Sequence, residues 1–148
     1  VPLGSDSEKL KDYLEIIRLR QDGSFTYTVQ VDPVVRDVLI PKLWVQPVVE
    51  NSVKYGSLRK QTLHVDLTAR MEDGFLLLTV EDNGTGFEPQ RLKEVQDSLT
   101  DPKKGTRQSG LQSLARRLVL LYGKESSVTI ESEYMVHTRV TLRMRRGG

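Results

Sequence analysis

The sequence has no cysteine among its 148 residues, which excludes disulfides and thiolate metal sites and is compatible with a reducing cytoplasm. It has no hydrophobic run long enough to cross a bilayer and no secretory signal at its N-terminus. It has little net charge, +2 from 22 basic and 20 acidic residues, which argues against a scaffold that neutralises many nucleic-acid phosphates. We therefore expect one domain that contacts neither nucleic acid nor membrane.

The periodicity of the apolar residues predicts a mixture of helices and strands. Helices are expected over residues 7–20, 41–55, 89–96 and 111–122, and strands over 25–31, 63–71, 75–81, 128–132 and 136–144. Asp73-Gly74 predicts a tight hairpin turn between two of these strands. Strands supplied mainly by hairpins, with helices at irregular intervals, favour the α+β class. The expected architecture is a two-layer α/β sandwich, with helices on one face of a mixed, mostly antiparallel sheet.

Two stretches interrupt this pattern. Pro47 removes an internal hydrogen bond from the helix expected over 41–55 and should bend it. Residues 97–109 contain a proline, a glycine and two lysines but almost no apolar residues, so we expect a mobile surface loop. This loop leads into the next helix, with Ser109 placed to cap it, and a helix start is a natural phosphate site because its amides are unpaired.

A carboxylate ends the most apolar strand. Asp82 follows Leu78 and Val80 in steps of two, so it occupies the inward phase of the strand and should leave water. An unpaired buried carboxylate is costly, so Asp82 is either exposed by the end of the strand or held by a partner. Gly84 and Gly86 follow at alternate positions and allow close backbone approaches, although Asp-Asn-Gly is also a common turn.

A second polar group lies in the helix expected over 41–55. Asn51, Lys54 and Tyr55 lie three and four residues apart and therefore share one face. An amide oxygen suits Mg²⁺, which binds through one or two protein oxygens together with substrate phosphates. Taken alone, these residues would be a solvated face, and Thr138, on the inward phase of the last strand, would be an ordinary buried threonine.

The order of these features resembles the GHKL or Bergerat-fold ATP-binding domain: an asparagine helix, an Asp-x-Gly-x-Gly stretch, and a loop that enters a Gly-Leu helix. Residues 46–56, Gln-Pro-Val-Val-Glu-Asn-Ser-Val-Lys-Tyr-Gly, are similar to the N box of LytS-like (YehU/YesM-type) bacterial sensor histidine kinases. The pattern of that box runs I-P-x-L-x-L-Q-P-L-V-E-N-A-I-K-H-G. The resemblance extends over nearly the whole chain.

This resemblance implies that the chain binds ATP and Mg²⁺ for phosphoryl transfer. Asn51 would bind Mg²⁺, and Asp82 would accept a hydrogen bond from the adenine amino group, with Thr138 as its water-linked partner. Gly84 and Gly86 would form the first glycine box beside the base. The implied nucleotide contacts are Asn51, Lys54, Tyr55, Asp82, Gly84, Gly86, Phe87, Arg107, Ser109, Gly110, Leu111 and Thr138.

The chain departs from the family pattern at three positions. Gln108 stands where the second glycine box usually has its earlier glycine, which implies a looser phosphate approach or a stiffer loop. His137 replaces the usual glycine before Thr138, so the resemblance does not define the turn geometry there. Pro47 occupies the position at which hydrolytic members such as gyrase carry the water-activating glutamate. Rapid hydrolysis is therefore not expected, whereas phosphoryl transfer can depend largely on positioning and charge stabilisation.

Neither histidine resembles a phosphoacceptor, since His64 lies on the polar phase of a strand and His137 near the start of another. No catalytic residue is therefore assigned, and the acceptor is expected outside these residues. Residues 1–22 would be a linker helix from a missing dimerisation and phosphoacceptor region, and residues 23–148 the ATP-binding domain. The expected partners are ATP, those helices in a dimer of the intact protein, and a response regulator, in the cytoplasmic part of a membrane-anchored sensor.

Two alternatives stay open at this point. The domain would be a non-catalytic nucleotide-binding or partner-docking module if Gln108 and the missing base reflect sensing rather than turnover. It would otherwise belong to the serine-kinase anti-sigma branch of the same fold, although the Gln-Pro-x-x-Glu-Asn run favours the LytS-like branch.

Overall fold

The computed structural model describes residues 1–21, 24–41, 44–56, 62–100 and 110–145. Within these residues the helices are α1 (Leu3–Arg20), α2 (Gln46–Gly56), α3 (Pro89–Thr100) and α4 (Gly110–Tyr122), with a 3-10 turn at Pro33–Val35. The strands are β1 (Phe25–Val31), β2 (Leu63–Glu72), β3 (Phe75–Asp82), β4 (Ser127–Glu133) and β5 (His137–Arg145). None of the described helices is long and apolar enough to cross a membrane.

The strands form one sheet in the order β1-β2-β3-β5-β4. The β1–β2 pair is parallel and the other three pairs are antiparallel. Alternate residues of β2 to β5, such as Leu76, Leu78 and Val80 of β3, are buried in a core that the helices share, whereas the alternate residues of β1 after Phe25 are partly buried. The expected α+β sandwich, with a mixed and mostly antiparallel sheet, is therefore confirmed.

The start of α2 differs from the prediction. The helix begins at Gln46 rather than at residue 41, so Pro47 lies in its first turn. A proline in the first turn costs no internal hydrogen bond, because the first amides of a helix have no partner within it. The bend expected at Pro47 was therefore wrong, and the helix runs from Pro47 to Asn51 without the interruption that a central proline would cause.

The β2–β3 hairpin and its neighbours follow the predicted pattern with shifted ends. Asp73 and Gly74 both have positive φ, 51° and 81°, as a tight Asp-Gly hairpin turn requires. Helix α3 continues to Thr100, so residues 97–100 are helical and not part of the expected loop. The rest of that loop, residues 101–109, lies outside the described residues.

Helix α1 is attached to the domain at its N-terminal end by backbone hydrogen bonds. The Leu3 amide donates to the Val38 carbonyl and the Gly4 amide to the Arg36 carbonyl, both at 2.8 Å. These bonds satisfy amides that would otherwise lack partners in the first turn, where no side chain caps the helix. Further along, Leu10 and Leu14 are buried in the core, so α1 packs against the sheet along most of its length.

Candidate nucleotide site

Asp82 ends β3 on the buried face of the sheet, as its sequence phase predicts. Only 5% of the residue is exposed. Its neighbours in the sheet are Val65 of β2 and Thr138 of β5, which lie directly opposite it on the two adjoining strands. Antiparallel register thus brings a carboxylate and a hydroxyl from distant parts of the sequence to the same point on the sheet face.

Two polar groups hold the Asp82 carboxylate. The Gly84 amide donates to its Oδ1 atom at 2.9 Å, and the Ser52 hydroxyl of α2 also forms a hydrogen bond with it. Burial raises the pKa of Asp82 above its ordinary value, while these two hydrogen bonds and the nearby His137 act in the opposite direction. The carboxylate is therefore held by partners and is not exposed by the end of the strand.

A cavity of about 40 Å³ lies against Asp82, between α2, the sheet and the start of α4. Its lining residues are Val48, Asn51, Ser52, Asp82, Thr85, Gly86, Phe87, Leu111, Ile130, Thr138 and Val140. Apolar side chains form most of this wall, and its polar side chains belong to Asn51, Ser52, Asp82, Thr85 and Thr138. The space is smaller than a nucleotide, so a bound base would displace part of the lining outward.

The backbone that follows Asp82 packs tightly against the β4–β5 hairpin. Gly86 has a φ of 65°, and a Cβ atom there would lie 2.4 Å from the Glu133 carbonyl oxygen. The Phe87 amide donates to the Ser132 hydroxyl at 2.8 Å, and the Met135 amide donates to the Thr85 carbonyl at 2.6 Å. Only glycine fits at position 86, because both the backbone conformation and the close approach exclude a side chain.

Helix α2 and the start of α4 complete the wall of the cavity. Asn51 is half-buried and lines the cavity, whereas Lys54, one turn further along α2, is exposed and does not line it. Gly110 begins α4, and the buried Leu111 that follows it reaches the cavity. Arg107, Gln108 and Ser109, with the side chain of Tyr55, lie outside the described part of the chain.

Three further polar residues of interest do not line the cavity. Glu50 is exposed and accepts a hydrogen bond from the Gln46 side chain at 3.0 Å. His64 lies on the outer face of the sheet, between Thr26 at 2.6 Å and Asp66 at 2.8 Å. His137 is the first residue of β5. His137 and Thr138 are therefore strand residues, and the turn lies before them.

The sequence analysis did not identify two hydroxyls of this site. Ser52 holds Asp82, and Ser132 contacts both Phe87 and Thr138. A signal for Ser52 was present, because it lies four residues after Val48 on the buried face of α2 and replaces the alanine of the family pattern. The signal for Ser132 was weaker, since only its alternation with Val128 and Ile130 indicates an inward side chain.

Residues 37–148 match the family model described as histidine kinase-, DNA gyrase B-, and HSP90-like ATPase. The chain belongs to this ATPase family. Membership implies ATP binding, and it accounts for a cavity that faces a buried carboxylate on a mixed sheet. Asn51, Asp82, Gly86, Phe87, Leu111 and Thr138, all expected from the resemblance to contact the nucleotide, line that one cavity.

The relatives of this ATPase domain include two named sensor proteins. This chain is 32% identical over 133 residues to the sensor protein LytS of Staphylococcus haemolyticus, and the match covers 89% of this chain and 23% of the relative. It is 29% identical over 143 residues to the sensor histidine kinase YesM of Bacillus subtilis, covering 96% of this chain and 23% of the relative. The chain therefore spans about a quarter of the length of these relatives.

Solved structures of histidine kinases share the fold of this domain. The catalytic domain of the histidine kinase ThkA, in a nucleotide-free form, superposes with a TM-score of 0.70 at 11% identity, covering 99% of this chain and 93% of that one. The histidine kinase domain of a blue-light activated kinase from Erythrobacter litoralis gives a TM-score of 0.63 at 21% identity, covering 97% and 65%. At these identities the likeness concerns the fold alone.

The chemistry of the residues around the cavity suits both an adenine base and a magnesium ion. A buried acceptor beside an apolar wall suits the amino edge and the flat faces of a purine. The described residues contain no cluster of three or more His, Cys, Asp or Glu that could hold a metal. A single amide oxygen such as that of Asn51 suits Mg²⁺ when phosphates and waters supply the other ligands.

Proposed function

We propose that this chain is the ATP-binding catalytic domain of a sensor histidine kinase, which presents Mg-ATP for phosphoryl transfer to a histidine outside these 148 residues. The observation that supports it most directly is that Asn51 and Asp82, from separate elements, line one cavity. Family membership and the sensor-kinase names of the relatives support it independently.

In this proposal Asp82 orients the base. Its Oδ1 atom already accepts the Gly84 amide, and a carboxylate has further acceptor sites available for the adenine amino group. Phe87, Ile130 and Val140 supply the apolar wall against which the ring would lie. Because the carboxylate is desolvated, a hydrogen bond to it is worth more than the same bond in water.

The phosphates would extend from the base towards α2 and the first turn of α4. Asn51 would hold the Mg²⁺, and the amides of Gly110 and Leu111 lie in the first turn of α4, where helix amides favour anions. Mg²⁺ supplies charge neutralisation on the transferred phosphoryl group. Lys54, Tyr55, Arg107 and Ser109 are proposed as further contacts on this side of the nucleotide.

The chemistry that fits these residues is transfer rather than hydrolysis. Pro47 lies one turn before Asn51, so α2 offers no carboxylate there to activate water. Glu50 is exposed, is hydrogen-bonded to Gln46 and does not line the cavity. A site that orients ATP without activating water keeps the nucleotide intact until an acceptor reaches it.

The acceptor and the signalling partners belong to the same proposal. His64 lies on the outer sheet face, away from the cavity, and is a poor acceptor for that reason. The acceptor would be carried by a dimerisation region joined through residues 1–22, in a cytoplasmic dimer that passes the phosphoryl group to a response regulator. Residues 23–148 would then be the ATP-binding unit.

Two measurements on the isolated chain test this function. Calorimetric titration with ATP should give binding that becomes tighter when Mg²⁺ replaces EDTA. Incubation with γ-labelled ATP and Mg²⁺ should leave the chain without acid-labile phosphate, because the acceptor is absent. Failure to bind any adenine nucleotide would overturn the proposal and leave a docking module, and labelled His64 or His137 would contradict the external acceptor.

A further inference from the structure

The Ser132 hydroxyl links the backbone that follows β3 to the β4–β5 hairpin, and it contacts the cavity residue Thr138. Its Oγ atom lies 2.9 Å from the His137 carbonyl oxygen, to which it donates. The same atom accepts the Phe87 amide at 2.8 Å and lies 3.1 Å from the Thr138 Oγ1 atom. Ser132 itself does not line the cavity, whereas Thr138 does.

Counting protons fixes the direction of the contact between the two hydroxyls. A serine hydroxyl has one proton and two acceptor positions. The proton of Ser132 is directed to the His137 carbonyl, which can only accept, and one acceptor position takes the Phe87 amide. The remaining position can only accept, so Thr138 must be the donor in the 3.1 Å contact.

This direction determines what Thr138 offers to the cavity. With its proton turned to Ser132, Thr138 presents only lone pairs, and it lies directly opposite Asp82 in the sheet. The Asp82 carboxylate is also an acceptor when ionised. The polar wall at this point therefore consists of two neighbouring acceptors and favours a ligand group that carries two protons.

We propose that Ser132 is a positioning residue that fixes Thr138 as an acceptor, so that the site selects a purine with an amino group at C6 over one with a carbonyl group. This inference rests on the proposed binding of adenine nucleotides and adds base selectivity to it. An adenine amino group has two protons for the two acceptors, directly or through water, whereas a 6-oxo purine has only its single N1 proton to donate and turns its C6 carbonyl oxygen towards lone pairs. Without Ser132, the Thr138 hydroxyl could rotate and donate to that oxygen.

The test is the ratio of the dissociation constants of IDP and ADP, measured by calorimetry in EDTA so that metal contacts do not contribute. The native chain should bind ADP more tightly than IDP. Ser132→Ala should lower this ratio about three- to tenfold, as expected for one neutral hydrogen bond, mainly through tighter binding of IDP. A merely structural role would weaken both nucleotides together and leave the ratio unchanged.

Two controls make the result specific. Ser127→Ala removes a hydroxyl from the same strand, at a residue that pairs with Arg143 far from Thr138, and should keep the native ratio. Thr138→Val should also lower the ratio, and adding Ser132→Ala to it should cause no further change. If Ser132→Ala does not fold, Ser132→Cys provides the same comparison, because a thiol is a poor hydrogen-bonding group of similar size.

Each outcome decides between the two proposals. A folded Ser132→Ala or Ser132→Cys chain with the native ratio overturns the role of Ser132 and leaves the proposed function intact. Equal affinity of the native chain for ADP and IDP also overturns it. A native chain that binds neither nucleotide overturns the proposed function itself, and the selectivity with it.

Discussion

The two sides of the cavity are built in different ways. Around Asp82, three strands, a tight turn and the Ser52 hydroxyl of α2 fix the polar atoms through backbone register and hydrogen bonds. On the side of Asn51, the described polar groups come from one helix face and one helix start. The first side is organised by contacts within the protein, whereas in the proposed site the second would gain its ligand geometry from the metal and the phosphates. Base selection and phosphate positioning should therefore respond separately to mutation.

The largest effect is expected from adding one carbon to the organised side. Gly86→Ala would place a Cβ atom 2.4 Å from the Glu133 carbonyl oxygen, at a φ of 65°. We expect a loss of about 2–5 kcal/mol in the free energy of unfolding, from backbone strain and overpacking together, and loss of nucleotide binding. Urea unfolding and ADP titration measure the two effects.

Gly74→Ala is the matched control for that substitution. Gly74 also has a positive φ, 81°, but a Cβ atom there would meet no other atom within 4 Å. Gly74→Ala should lower the free energy of unfolding only by the backbone strain, about 1–2 kcal/mol, and should leave the affinity for ADP unchanged. Equal losses in the two variants would show that the packing of Gly86 against β4 is unimportant.

Removing the buried carboxylate should weaken every adenine nucleotide by the same factor. For Asp82→Ala we expect a loss of about 1.5–3 kcal/mol in binding free energy, the range for hydrogen bonds to charged groups. The loss should be equal for ATP and ADP, and equal in Mg²⁺ and in EDTA, because in the proposed site Asp82 would contact only the base. A loss confined to Mg²⁺ would mean that the two sides of the cavity are not separate.

Asn51→Ala should give the complementary result and a smaller one. The variant should lose the tightening that Mg²⁺ gives to ATP, while its affinity in EDTA stays close to that of the native chain. Comparison of four titrations, native and variant with and without Mg²⁺, isolates the metal-dependent part. If Mg²⁺ still tightens ATP binding fully in the Asn51→Ala variant, Asn51 is not a ligand of the metal.

The smallest expected effect concerns stability. Burial raises the pKa of Asp82, so the folded state holds a proton more tightly than the unfolded state, and its stability falls as pH rises above the ordinary Asp value of 3.8. Asp82→Asn should therefore melt at a slightly higher temperature than the native chain at pH 7. That advantage should fade as pH falls towards 3.8. An advantage that persists unchanged at low pH would have a cause other than the buried charge.

The organised side of the cavity was the more predictable from the sequence. Alternation along two strands placed Asp82 and Thr138 on the buried face, and the sheet brings them opposite each other. The partners of Ser52 and Ser132 could not be predicted, because a hydroxyl on an inward phase gives no indication of which distant strand or turn it will meet. Those contacts depend on how distant strands, helices and turns pack together, which no local sequence pattern encodes.

Local rules also failed at the start of α2. The composition of residues 41–55 suits a helix throughout, and Pro41, which is permitted at a first helical position, was interpreted as its start. Pro47 was the useful signal, since a proline is tolerated in a first turn and disfavoured in an interior. Interpreting it as a kink rather than as a start displaced the predicted beginning of the helix by five residues, from 41 to 46.

The single parallel pair of the sheet has a consequence for how the domain folds. Phe25 pairs with Leu63, so the whole connection that carries α2 must close before β1 can join the sheet. Closing such a long loop is slow relative to forming the adjacent β2–β3 hairpin. We therefore expect α2, which carries Asn51, to pack onto the sheet late in folding. A nucleotide bound to α2 would then mainly slow the unfolding of the domain and would hardly accelerate its folding.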